Sequence, residues 1–555
     1  MKKFLSFLLI IPVLFTGCDL EEDPKSILTP GNYYTTKSGM ETLVYSCYSL
    51  LRFIGGGTDL LKLNHYGTDV VQAGVSNHPA RNDSYDMPTT EGALSGLWTN
   101  AYTIINACNN VTYYLPMVPD MTEAQKTLRE AEARFIRAKM YFHLTIHFGE
   151  VHHSMEPSLD VETEAYKTPF NTVWDETIYP DLRFAVANLP ARQSDYGRID
   201  QWGAKHFLAY ALLNDPRSGK AQFDEAALLL ADIINNSHYQ LQENRYLVFS
   251  EDNENNSEII WSIQFCREEL YNQGGNYSHM IWVTSYQDCP GMVRTQEYGR
   301  SFIQYRPTQF FFDLLDETID SRYDAYWRDT WFANRPENVF PLDVTRKING
   351  ADVSFTLNHR DTSIVMPKRP WTIEMIDSKA YRVFNPENAT PITGLAGDAP
   401  YWNQDLRYYP TLKKFDDTKR ATPDWSQGNR NYSIFRLADT YLLACEAYYR
   451  GGNTAEAVKY MNVLRRNAAL PGKENEMEIT EAQLDIDFIL DERARELIGE
   501  DYRWTDLKRL GKLPERASLN PYFPSTGWKD YYYLRPYPQS HIDRCSNEWT
   551  QNPGW

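Results

Sequence analysis

The fold of this 555-residue chain is indicated most clearly near its end, by Asp491-Glu-Arg-Ala-Arg-Glu-Leu-Ile-Gly-Glu-Asp-Tyr-Arg-Trp-Thr-Asp-Leu-Lys-Arg-Leu-Gly511. Apolar residues, Trp504 among them, recur there at helical spacing, which predicts two short amphipathic helices that end at Gly511. Three glutamates repeat every four residues along the first helix: Glu492, Glu496 and Glu500. Like charges at that spacing repel each other unless cations neutralise them. Arg495 and Arg503 each follow a glutamate by three residues, so we expect both to supply the positive charge.

This stretch resembles the C-terminal signature of the SusD/RagB family, E-R-x-x-E-L-x-x-E-x-x-R-W-x-D-L-x-R-x-G, at every specified position. Members of that family are nutrient-binding lipoproteins of the Gram-negative outer membrane. Further segments resemble other family motifs; they are Glu132–Gly149, Glu254–Ile263, Asp320–Arg322, Phe435–Tyr448 and Tyr537–Trp555. One departure is Asp439, which stands where the family usually has glutamate. The resemblance therefore extends over most of the chain, and it is specific to the family rather than to a ligand.

Helical patterns occupy both ends of the chain. Thr122 and Gln125 form a predicted capping box that begins a long helix at Glu123, and Gly149 is suited to end it. Trp98 lies in the apolar stripe of the preceding helix, so we expect it in the core. The residues alone predict only a mostly α protein, because no strict 34-residue repeat is present. The resemblance implies a tetratricopeptide-like helical-repeat scaffold with a large irregular, loop-rich insertion that carries short β-strands.

Five segments are predicted. Residues 1–17 form a lipoprotein signal peptide and 18–35 a lipidated acidic tether. Residues 36–240 form an N-terminal helical scaffold, 241–430 an irregular, aromatic-rich ligand-binding region, and 431–555 a C-terminal helical segment that completes the scaffold.

The first residues have the pattern of a secretory signal. Lys2 and Lys3 precede an apolar run that is too short to span a membrane, and Gly17-Cys18 follows it. The junction resembles a lipobox, which implies that Cys18 is lipidated; simple secretion with Cys18 as a free thiol is the alternative. The acidic run after Cys18 resembles the tag that exports such lipoproteins to the outer face. The resemblance thus implies an outer membrane protein, lipid-anchored and facing the cell exterior.

Charge and composition exclude several classes of function. The net charge of −18 disfavours nucleic-acid binding. The six cysteines after Cys18 show no CxxC and no metal-ligand spacing. His143 and His147 lie one helical turn apart, but no HExxH motif or obvious carboxylate ligand accompanies them, so ordinary helix-face histidines are favoured over zinc. We therefore predict no metal and no cofactor.

The candidate ligand-binding residues come mainly from the irregular region. Seven of the fourteen tryptophans lie between Trp261 and Trp425 without helical spacing. Aromatic rings can cover the apolar face of a sugar while polar side chains bind its hydroxyl groups. The candidates expected to be exposed there are Trp282, Tyr286, Trp331, Trp371 and Tyr401, with Arg81 from an early polar loop.

Catalytic motifs such as nucleophile elbows, kinase loops and dinucleotide fingerprints are missing from the sequence. A glycosidase needs only two carboxylates, and Glu496 and Glu500 stand at a suitable helical spacing. Their arginine-rich surroundings favour a structural ion network instead. A purely structural surface protein is a third possibility.

The resemblance implies that the protein breaks no bond. It implies capture of a glycan for a partner TonB-dependent outer-membrane transporter, which is SusC-like. A peptide or another nutrient remains an alternative ligand.

Overall fold

The computed structural model describes residues 28–77, 80–272, 274–348, 351–385 and 406–555. The predicted signal peptide, Cys18 and Tyr401 lie outside these ranges. Within them the helices of seven or more residues are α1 Lys37–Leu50, α2 Asp59–His65, α3 Gly92–Tyr114, α4 Glu123–Phe148, α5 Tyr179–Asn188, α6 Gln201–Asn214, α7 Lys220–Asn236, α8 Leu437–Arg450, α9 Thr454–Ala468, α10 Ile486–Leu497 and α11 Arg503–Arg509. None of the described helices is both long and apolar enough to cross a membrane.

The long helices form one continuous row, in which α1 packs on α3 and each helix from α3 to α9 packs on the next. Helix α7 packs directly on α8, although about 200 residues separate them in the chain. The mostly α, tetratricopeptide-like fold expected from the sequence is therefore confirmed. The residues between α7 and α8 form an insertion into this row.

The local signals predicted α4 correctly. The Thr122 hydroxyl accepts a hydrogen bond from the Gln125 backbone N–H, and the Gln125 side chain accepts one from the Thr122 N–H. Gly149 caps the other end at φ 80°, a conformation that favours glycine. Trp98 is 5% exposed and lies in the core, as expected.

The strands are short and lie mostly in the insertion. They are β1 Val71–Ala73, β2 Val151–His152, β3 Lys167–Thr168, β4 Ile259–Ile263, β5 Tyr305–Pro307, β6 Trp327–Arg328, β7 Thr330–Phe332, β8 Leu342–Ile348, β9 Ala351–Leu357, β10 Thr362–Val365, β11 Arg382–Val383, β12 Thr411–Leu412 and β13 Tyr432–Arg436. Two antiparallel pairs connect distant parts of the chain: β4 with β13, and β1 with β5. A three-stranded sheet in the order β11-β10-β7 supports the candidate site described below.

Two large hydrophobic cores follow from this arrangement. The first fills the helical row and includes β4 and β13. The second is built mainly from residues 280–412, with contributions from residues 61–73 and from Ala494 and Ile498 of the C-terminal signature. The insertion is therefore not a loose set of loops, because it has a core of its own that is packed against the scaffold.

Glu492 and Glu496 of α10 and Glu500, which lies just beyond the end of this helix, are buried and neutralised by cations from several elements. Arg495 binds Glu492 at 2.8 Å, as expected. The expectation for Arg503 is wrong, because its guanidinium binds Asp69. Glu500 is bound instead by Arg436 at 2.7 Å and by Lys414 at 3.0 Å. Helix periodicity shows which residues share a face, but it does not show which distant cations fold against that face.

Candidate ligand-binding site

Three of the predicted ligand-binding residues are buried. Trp282, Tyr286 and Trp331 are 1%, 0% and 0% exposed, so the expectation that they are exposed is wrong. Trp282 packs against Tyr305, with 5.2 Å between ring centroids. Tyr286 donates its hydroxyl proton to the Gly299 carbonyl at 2.7 Å, and burial raises the pKa of that hydroxyl to about 12. These rings belong to the second core. The residues of that core lack helical periodicity, so the sequence did not indicate that they would be buried.

The remaining candidates differ from these three. Trp371 is half-buried and lines an open cleft. Arg81 is exposed in the turn that follows β1, but it does not line that cleft. Tyr401 lies outside the described residues. Trp371 thus lines a cleft, whereas Arg81, Trp282, Tyr286 and Trp331 do not line it.

The Trp371 cleft has a volume of about 550 Å³, within the usual range for small-molecule sites. The three-stranded sheet contributes Thr330 from β7 and Thr362 and Val365 from its central strand, β10, to the lining. The segment 367–371 and the side chains of Tyr323 and Asp329 complete much of the lining. Tyr381 is the third aromatic residue of the lining, after Trp371 and Tyr323. The cleft therefore combines aromatic rings with hydroxyl and carboxylate groups.

Trp371 is held in place through its backbone. Asn385, which is 4% exposed, accepts a hydrogen bond from the Trp371 N–H at 3.0 Å and donates one to the Trp371 carbonyl at 2.9 Å. Thr372 then caps the short helix Ile373–Asp377. The Lys379 ammonium lies 5.9 Å from the Trp371 ring centroid. These contacts orient the backbone that carries the indole.

The charged groups of the cleft are partly paired. Asp329 accepts hydrogen bonds from the Tyr323 hydroxyl at 3.0 Å and from the Thr330 hydroxyl at 2.9 Å. Lys368 binds Glu317, and the nearby Arg369 lies 3.6 Å from the same carboxylate. Burial lowers the pKa of Lys368, and the Glu317 carboxylate opposes that shift. A neutral ligand with many hydroxyl groups would suit this mixture of donors and acceptors.

Sequence reasoning missed most of the residues around Trp371. The segment Pro367-Lys-Arg-Pro-Trp371 contained a usable signal, because two prolines in five residues disfavour a regular strand and predict an exposed loop. Tyr323 and Asp329 gave no comparable signal. They reach the cleft because the chain that contains them leads into β7, which pairs with β10.

Glu496 and Glu500 do not form an accessible catalytic pair. Glu496 is 0% exposed, and its carboxylate binds Arg245, Arg322 and Arg436 at 3.2, 3.2 and 2.7 Å. Burial alone would raise the pKa of Glu496, but these arginines hold it well below its usual range. A general acid requires a raised pKa and access to substrate. The pair therefore belongs to a buried structural ion network.

The two helical histidines are buried in the scaffold. His143 binds the Lys139 side chain at 3.0 Å, and His147 stacks on Trp504 at 5.2 Å between ring centroids. Burial holds the pKa of both histidines well below the usual value. Among the described residues, no group of three or more histidine, cysteine, aspartate or glutamate side chains is arranged to hold a metal ion.

Comparisons with known proteins place the chain in a family. SusD-like protein P25 of Formosa agariphila is 25% identical over 558 residues, covering 94% of this chain and 93% of the relative. Starch-binding protein SusD of Bacteroides thetaiotaomicron is 25% identical over 80% of this chain and 76% of the relative. The solved structure of surface glycan-binding protein A from Bacteroides thetaiotaomicron in complex with laminarihexaose is similar in fold, with a TM-score of 0.66, 19% identity and coverage of 93% and 99%. The sequence model described as the SusD family matches residues 257–555, more than half of the chain, and this protein therefore belongs to the SusD family.

Proposed function

We propose that this protein binds an oligosaccharide or polysaccharide at the cell surface and delivers it to a partner TonB-dependent outer-membrane transporter. The observation that carries the proposal is the Trp371 cleft, in which a positioned indole lies beside hydroxyl and carboxylate groups. An aromatic face can pack on the C–H face of a pyranose, and the polar groups can bind its hydroxyls. Relatives named for binding starch, and one solved with laminarihexaose, support a glycan as the ligand class.

The proposal includes a lipid anchor at Cys18, an outer-membrane location facing the exterior and a SusC-like transporter. These features rest on the sequence pattern at residues 2–23 and on the family. The proposal also assigns no catalysis to the protein. The burial of Glu496 and Glu500 supports that assignment, because a glycosidic bond could not reach their carboxylates.

Isothermal titration calorimetry tests the proposed site once a ligand has been found by retention on polysaccharide gels. The first ligands to titrate are maltohexaose and laminarihexaose, because the relatives are described with starch and laminarihexaose. We expect micromolar or weaker affinity, and Trp371→Ala should weaken binding about tenfold or more, roughly 1.4 kcal/mol. The melting temperature should not change, because the Trp371 side chain is only half-buried and lines an open cleft.

Tyr113→Ala is the matched control, since Tyr113 is an aromatic residue of α3 that is 36% exposed and does not line the cleft. It should bind like the wild type. Unchanged affinity in Trp371→Ala would place the platform elsewhere, and the loop from His65 to Asp86, which carries Arg81, would be the next segment to test.

A further inference from the structure

A second pocket lies between α1, the loop 191–198 and the end of β4, and it shares no lining residue with the Trp371 cleft. We call it the tyrosine pocket, because Tyr45, Tyr196 and Tyr271 line it and are 53%, 48% and 59% exposed. Its volume is about 350 Å³, which is large enough for a small ligand. Exposed rings from three separate segments therefore surround one cavity.

The walls of the tyrosine pocket are fixed by hydrogen bonds between those segments. Arg52, which lies in the turn Leu51–Phe53 directly after α1, donates to the carbonyls of Gln264 and Tyr271, each at 2.7 Å. The Trp261 indole N–H of β4 donates to the Gly197 carbonyl at 2.9 Å. The loop, the strand end and the helix are thus linked through buried or half-buried donors. A ligand would enter a preformed site and would not have to order it.

The two arginines that line the pocket differ in how their charge is neutralised. Arg198 binds Glu132 at 2.7 Å and Asp195 at 3.1 Å. Among the described residues, Arg52 donates hydrogen bonds only to uncharged acceptors, the third of which is the Ser49 hydroxyl. Arg52 forms no ion pair with any carboxylate of the described chain, and burial lowers the pKa of its guanidinium. Asp195 also lines the pocket, but its carboxylate is paired with Arg198. The half-buried positive charge of Arg52 therefore faces the pocket without an ion-pair partner among the described residues.

We propose that the tyrosine pocket is a second ligand site, which accepts a carboxylated sugar and pairs its carboxylate with Arg52. The guanidinium group matches the geometry of a carboxylate, and the desolvated pair would be stronger than one in water. The exposed tyrosine rings would contact the pyranose. This inference rests on the proposed function only for the saccharide character of the ligand.

Calorimetry with trigalacturonate and with its fully methyl-esterified form tests the proposal, because esterification removes the charge and keeps the sugar chain. The wild-type protein should bind the acid about tenfold or more tightly than the ester. Arg52→Gln should abolish that preference, whereas Arg52→Lys, which retains the charge, should keep it at about threefold or more. Arg466→Gln, a change at an exposed arginine of α9, should behave like the wild type.

Arg52 also holds the pocket walls together, so Tyr196→Ala provides a variant with little structural cost. It should weaken binding of both the acid and the ester about tenfold. Trp371→Ala should keep the preference for the acid over the ester, because that preference depends on Arg52 and separates this site from the Trp371 cleft. No binding of the acid by a folded wild-type protein, or an unchanged preference in Arg52→Gln, would overturn the proposal. The Tyr196→Ala variant could also bind the sugar like the wild type but no longer co-purify with the transporter. That result would overturn the proposal and would identify the tyrosine pocket as a protein contact.

Discussion

Arg503 and Asp69 form a buried ion pair between residues 434 positions apart in the chain. The Arg503 Nε donates to Asp69 Oδ1 at 2.7 Å, and a second bond joins Nη2 to Oδ2. The Asp69 side chain is 0% exposed and that of Arg503 is 5% exposed. The pair connects the C-terminal signature to the loop between α2 and β1, where the first and second cores meet.

Arg503→Ala should therefore lower the free energy of unfolding by about 3 kcal/mol, because it leaves the buried Asp69 carboxylate with only the Arg516 guanidinium, 3.7 Å away, as a counter-ion. Urea denaturation measures this change, and glycan affinity of the folded fraction should be unchanged. Arg183→Ala is the control, since the Arg183–Glu225 pair is exposed and should contribute at most about 1 kcal/mol. Equal effects of the two substitutions would contradict the structural role of Arg503.

Trp504→Ala should create a cavity and cost roughly 3–5 kcal/mol. Trp504 is 0% exposed, and its ring stacks on His147 and contacts the Arg535 guanidinium, which is 4.5 Å from its centroid. Chemical denaturation should show the loss, whereas Tyr246→Ala, at a ring that is 50% exposed, should change stability little. Normal stability with lost ligand binding would instead make this segment the ligand site.

Lys508 should make stability depend on pH above neutrality. Burial, with a further contribution from Arg535, lowers the pKa of Lys508 to about 7, against roughly 10.4 for an unfolded lysine. Between these values the unfolded chain binds more protons, so the free energy of unfolding should rise with pH by up to about 1.4 kcal/mol per unit. Lys508→Met should lose this contribution, whereas Lys459→Met, at a side chain that is 71% exposed, should keep it. Denaturation curves at pH 7, 8 and 9 give the slopes; equal slopes in the wild type and Lys508→Met would refute the assignment.

The buried network around Glu496 should stabilise the protein without catalysing any reaction. Glu496→Gln removes a charge that Arg245, Arg322 and Arg436 share, and we expect a loss of about 3–5 kcal/mol. Neither the wild type nor the variant should generate new reducing ends from a bound glycan. Hydrolysis by the wild type that disappears in a folded Glu496→Gln variant would support a glycosidase instead.

Cys18→Ala should release the protein from the membrane fraction, because the predicted lipid anchor is attached at this residue. Cell fractionation measures the location, and Cys545→Ala, which retains Cys18, should remain with the membrane. Mass spectrometry of the wild type should find a lipid on Cys18. An unmodified Cys18 would contradict the proposed anchor.

Local sequence determined the helices and part of the core. The capping residues around α4 and the apolar stripes that contain Trp98 and Trp504 act over one or two helical turns, so their outcome can be predicted from neighbouring residues. The motif resemblance also identified the family correctly, since the family model matches residues 257–555.

Only the tertiary structure decided which aromatic rings are accessible and which charges meet. Trp282 and Trp331 are buried because residues far apart in the chain assemble a second core around them, whereas Trp371 remains at a cleft edge. Arg503 binds Asp69 rather than the nearby Glu500 for the same reason. Burial and ion pairing depend on long-range contacts, and a spacing pattern within one segment contains no information about the segment that will pack against it.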